Sequence, residues 1–214
     1  VVALATPLLD DPVRAVRAAC AHARVGAVHE LDAAARARFD EALEVWFDTQ
    51  RVNADQPWSH VNTGTVLARL GRHREAITQF ERVKSGPRLV EARYLRARSL
   101  MRTTGDAAAN AALREVRDSF PEETTWSATA ARLLADQLVE DGNDSAAARE
   151  FAEIARRFAS TSHGERAAFQ ASLLRYINDE DTLAAQGFDR LVEQKPGGSE
   201  ATAAISWAGR AWEA

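Results

Sequence analysis

The 214-residue sequence holds a single cysteine, Cys20, so no disulfide can close within it and no site can be built from several thiolates. Lysine is almost missing, with only Lys84 and Lys195 beside 25 arginines. Arginine is the better partner for carboxylate and phosphate, yet an arginine- and alanine-rich chain reads first as coding bias, so the count alone is no sign of a ligand. Aromatic residues make up 7% of the chain, and no apolar run nears the roughly 20 residues that cross a bilayer. No membrane span is expected. The formal net charge of −4 gives no basic footprint for nucleic acid.

What is abundant is alanine, at 44 residues. Alanine is the best helix former and a poor strand former, so the expected class is all-α. With 27% charged and 46% hydrophobic residues the chain is not of disordered composition, and its length suits one large domain or two small ones. It opens on Val1-Val2 without a basic-then-apolar leader and closes on Trp212-Glu213-Ala214 within a helical pattern. Both ends read as cuts, so a longer parent protein is expected.

Internal repeats organise the sequence. Ala42, Ala76, Ala109, Ala147 and Ala184 form one column, with steps of 34, 33, 38 and 37 residues. Four residues on stand Trp46, Phe80, Leu113, Phe151 and Phe188, and three further on Thr49, Val83, Val116, Ile154 and Leu191. Small, then large at i+4, then apolar at i+7 is one stripe of a helix. A preceding helix carries a second stripe: Gly64 and Leu67; Ala97 and Leu100; Leu134-Ala135 and Leu138; Ala168, Ala171 and Ser172, with Arg175 where leucine is expected. A last half-unit offers Ile205, Ala208-Gly209 and Trp212. Turns are expected at Gly71, Gly105, Gly142 and Asn178-Asp179. Pro87, Pro121 and Pro196 fall where second helices must stop, Asp11-Pro12 reads as an N-cap, and Ser162-x-x-Glu165 reads as a capping box. A two-helix unit cannot bury its stripe alone, so the units are expected to stack into a solenoid.

The segment Asn62-x-Gly64-x-x-Leu67-x-x-x-Gly71-x-x-x-x-Ala76-x-x-x-Phe80-x-x-Val83 resembles the tetratricopeptide repeat family nearly column for column, with Thr63 in place of the usual leucine. The resemblance covers roughly residues 31–214. It implies a right-handed α-solenoid of stacked antiparallel helix pairs, a scaffold whose first helices line a concave groove for a protein or extended peptide. Residues 11–21 resemble the inner helix of a HEAT repeat, which sets residues 1–30 apart as a HEAT-like start. Together with Gln50-Arg-Val-Asn-Ala-Asp-Gln56 and the first complete unit, they are similar to helical-repeat tails of some bacterial multihaem cytochromes. Ala92-Arg-Tyr-Leu-Arg-Ala-Arg-Ser-Leu100 and the stretch from Ser199 to Trp212 resemble the superhelical, non-catalytic part of soluble lytic transglycosylases. Both likenesses imply a periplasmic setting, with the cytoplasm as the alternative.

Motifs that carry chemistry are not found. A Cys-x-x-Cys-His haem attachment needs two cysteines. The Glu-Ser pair that the transglycosylase likeness would call for does not occur. Cys20 and His22 stand at i, i+2 and point apart on a helix, and His29-Glu30 lacks the second histidine of a zincin motif. Asp141-Gly-Asn-Asp-Ser145 puts glycine in the wrong place for a calcium loop and reads as a helix–helix turn with an N-cap. His163 reads as a solvated loop residue, and Asp179-Glu180-Asp181 as a solvated turn favouring the next helix's N-terminus. No catalysis, cofactor or metal is therefore expected.

The remaining candidates follow from the resemblance. If first helices face inward, the groove holds Tyr94, Arg98 and Arg102, then Arg132 and Asp136, then Arg166, Phe169 and Tyr176, then Arg210. Aromatic faces beside guanidinium groups could grip an extended acidic peptide or a glycan. The opposing reading makes the aromatic residues packing contacts between units and leaves the arginines solvated or paired.

Overall fold

The computed structural model describes residues 6–121 and 123–214, and among them every regular element is a helix. Short 3-10 segments at Pro7–Asp10 and Val25–Glu30 bracket α1 (Arg14–Arg24). There follow α2 (Ala33–Val52), α3 (Pro57–Arg69), α4 (His73–Glu81), α5 (Leu89–Met101) and α6 (Asp106–Ser119). The chain continues through α7 (Trp126–Glu140), α8 (Asp144–Arg157), α9 (Ser162–Ile177), α10 (Asp181–Gln194) and α11 (Ala201–Glu213). The all-α expectation holds. Two compact units divide the chain, Val1–Ala112 and Leu113–Ala214.

In the first unit α1 packs on α2, α3 on α4, and α4 on α5. One core runs from Leu9, Cys20 and Val25 through Phe39, Leu43 and Phe47 to Val61, Leu67, Phe80 and Val83. In the second unit α8, α9, α10 and α11 each pack on the next, and α7 lies against both α8 and α9. Its cores gather around Phe151, Ile154 and Phe158, and around Phe188 and Leu191. Much of their apolar surface is alanine, which lets helix axes approach closely without long side chains to interleave.

From α4 onward the repeat columns are buried where the sequence places them. Ala76, Ala109, Ala147 and Ala184 are fully enclosed, as are Phe80, Leu113, Phe151 and Phe188. Three of the turns between paired helices share one geometry. In the α3–α4 turn the amide of Arg72 donates to Leu67 O at 2.9 Å and that of Gly71 to Ala68 O at 3.0 Å. Asn143 to Leu138 and Gly142 to Val139 repeat the pattern between α7 and α8, and Glu180 to Arg175 and Asp179 to Tyr176 repeat it between α9 and α10. This double bond closes a helix only if the residue after it adopts positive φ. Gly71 and Gly142 do so, and in the fourth turn Asp179 takes the place of glycine at φ 59°; Gly105, in the α5–α6 turn, has positive φ as well.

Several local expectations need correction. In α2 the buried face is Phe39, Ala42-Leu43, Phe47 and Gln50; Thr49 is exposed and Trp46 half-buried, because Trp46 turns to stack on His22 of α1. In α9 the buried stripe is Ala167, Ala171 and Leu174, not Ala168 and Arg175. In α11 the docking face is Ala201, Ala204, Ala208 and Ala211, so Ile205 and Trp212 stand outward and the Trp212 indole donates to Asp189 at 2.9 Å. Helix α1 starts at Arg14, two residues late, and Asp11 accepts from the Val13 amide at 2.7 Å.

The α9 cap is Thr161, whose hydroxyl accepts from Gly164 N at 3.2 Å. That puts His163 within the first turn of the helix and frees Glu165 from any capping box. Glu165 instead reaches the α10–α11 loop, where it accepts from the Glu200 amide at 2.9 Å and from Ser199 Oγ at 3.3 Å. The Asn143 cap of α8 is as expected, its side chain accepting from Ala146 N.

Candidate functional site

The nine candidate residues fall into separate groups. In the first unit Tyr94 is buried, Arg98 lies over its ring at 6.0 Å, and Arg102 lines a hollow beside Gly71, Arg72 and Arg74 at the α3–α4 turn. In the second unit Phe169 packs on Phe188 with ring centroids 5.5 Å apart. Tyr176 meets Trp207 edge-on at 5.4 Å, and Arg210 covers Trp207 at 4.9 Å. Phe169 and Tyr176 thus do packing work, and Trp207, not singled out in the sequence, joins Tyr176 to Arg210.

Arg132, Asp136 and Arg166 come together. They line one groove of about 310 Å³ between α7 and α9, with Phe151 and Leu174 as its apolar floor and Val139, Glu140 and Gln170 completing the walls. The placement follows from helical spacing: Arg132, Asp136 and Glu140 recur every four residues along α7, and Arg166, Gln170 and Leu174 do the same along α9. Phe151 rises from α8 into the gap between them, buried at the same column position as Phe80 and Phe188.

The electrostatics of this groove are balanced, with two arginines facing two carboxylates. Arg132 bonds Asp136 at 2.5 Å, one helical turn along. Burial pushes the Asp136 carboxyl above its ordinary value, against the pull of Arg132 toward the charged form. Arg166 is the most available cation: its side chain is 67% exposed and its nearest carboxylate, Glu200, lies 3.6 Å away. A surface pair of that kind is weak and readily exchanged for another partner.

Among the described residues no group of three or more His, Cys, Asp or Glu gathers closely enough to share a metal ion. Among the same residues, no helix is long and apolar enough to cross a membrane. No protein-family model matches the chain, and no curated protein matches it in sequence.

Proposed function

We propose that this chain works by binding and not by catalysis, as a right-handed stack of helical hairpins of tetratricopeptide type that holds an extended peptide in the α7–α9 groove. The observation that carries this reading is the groove's mixed lining. Guanidinium donors and carboxylate acceptors flank an apolar floor, which suits a peptide backbone offering both N–H and C=O groups. A polyanion such as nucleic acid would meet Asp136 and Glu140 as repulsive groups. An acidic side chain on the peptide would pair with Arg166, and an apolar one would rest on Phe151 and Leu174. The shared turn geometry at Gly71, Gly142 and Asp179 speaks for hairpins as the repeating unit.

The test is selection of peptides from a random library on the purified chain, followed by fluorescence anisotropy with the enriched sequences. Gln170 is half-buried in the groove wall, so Gln170→Trp fills the groove without removing core. Binding weakened at least tenfold by Gln170→Trp and by Arg166→Glu, with unchanged far-UV circular dichroism, supports the reading. Absence of any enriched peptide, or binding indifferent to both substitutions, overturns it.

A further inference from the structure

The second unit holds another hollow, about 350 Å³, on the other side of α9. Ala168, Ser172 and Arg175 line this one, whereas Arg166, Gln170 and Leu174 line the groove. Its floor is small and apolar, from Ala152, Ala155, Ala159 and Ala171. Its rim carries four cations, Arg156, Arg175, Arg190 and Lys195, against one carboxylate, Glu165. Glu165 is committed to Ser199 and the Glu200 amide, and Arg156 is held by Glu153 at 2.5 Å. The side chains of Arg175, Arg190 and Lys195 have no ion-pair or hydrogen-bond partner among the described residues.

The position of Arg175 strengthens the case. The Schellman turns align it with Leu67 and Leu138, so a cation occupies a column that is otherwise apolar. Departures of this kind from the pattern of a fold are expected at functional or strained positions. Like charges brought to one small hollow also repel, and a bound anion removes that cost. The volume lies within the range of small-molecule sites, at their lower end.

We propose that this hollow binds a small, multiply charged oxyanion with a short apolar portion: carboxylates or a phosphate held by Arg175, Arg190 and Lys195, and hydrocarbon laid on the alanine floor. Arginine forks match either oxyanion. This site is independent of the peptide groove, and Gln170→Trp leaves it intact.

Isothermal titration of the whole chain at low salt tests it, with citrate for the carboxylate arm and hexyl phosphate for the phosphate arm. Inorganic phosphate serves as the probe without hydrocarbon. The expected result is saturable one-to-one binding of citrate or hexyl phosphate, with hexyl phosphate tighter than inorganic phosphate if the phosphate arm is the one that binds. Arg175→Gln with Arg190→Gln weakens it at least tenfold, whereas Arg82→Gln, an exposed arginine of the first unit, leaves it unchanged. Lys195→Gln alone gives a smaller loss and keeps the test open if the double variant folds poorly. Saturation by neither probe overturns the proposal, as does binding that survives the Arg175 and Arg190 changes or falls equally with Arg82→Gln.

Discussion

A Cβ added to Gly64 would stand 2.5 Å from Cε1 of Phe80, so α3 and α4 meet at a distance that admits no side chain at this point. Phe80 is fully buried and its ring has nowhere to swing. Alanine normally stabilises a helix by about 1 kcal/mol over glycine, so only the clash can reverse that sign. Gly64→Ala is therefore expected to destabilise by about 1–2 kcal/mol net in urea unfolding. Gly209→Ala, with open space around its Cβ, should stabilise by up to about 1 kcal/mol. The same sign for both would refute the close approach.

Asp179 carries the left-handed conformation that glycine carries at the matching turns. Asp179→Gly should raise stability by about 0.5–1 kcal/mol, and Gly142→Ala should lower it by about 1 kcal/mol. A destabilising Asp179→Gly, measured by the same unfolding assay, would mean that the fourth turn is not equivalent to the third.

Glu165 ties α9 to the start of α11 through a buried carboxylate. Glu165→Ala leaves the Glu200 amide without its acceptor and should cost about 1–3 kcal/mol. Glu165→Gln keeps the Oε1 acceptor, so its cost should be clearly smaller. Equal losses would show that charge, and not the hydrogen bond, holds the loop.

Burial, and secondarily the Arg69 charge, hold the His22 imidazole below its usual 6.5. The unfolded chain therefore takes up the proton first as pH falls. The contribution to stability is complete above 6.5 and is lost as pH drops from there through the folded-state value. NMR titration should place the His22 midpoint below 6.5, and Arg69→Gln should move it part of the way back. A midpoint at or above the ordinary value would contradict the assigned environment.

The fold was legible wherever a large apolar residue or a glycine marked a repeat position, as at Phe80, Phe151, Phe188, Gly71 and Gly142. It was less legible at the two ends of the pattern. Trp46 leaves its column for His22, and α11 docks through alanines that a search for large side chains passes over. Helical spacing put Arg132 and Asp136 on one face of α7, but only the repeat resemblance pointed to Arg166 of α9 facing them. Spacing could not show that Phe169 and Tyr176 are taken up by Phe188 and Trp207, since those contacts join different helices. Arg175 was visible as a departure from the leucine column, but Arg190 and Lys195 join it only through the packing of α9 on α10.

If the α7–α9 groove seats an extended peptide, as proposed, an acidic side chain of that peptide meets Arg166. A charge exchange tests it most directly. Anisotropy would be measured for the chain and for its Arg166→Glu variant, each with a selected peptide and with the same peptide bearing lysine in place of its acidic residue. The parent chain should prefer the acidic peptide, while the variant should prefer the lysine peptide by at least a comparable margin. Indifference of both proteins to the exchange would contradict it.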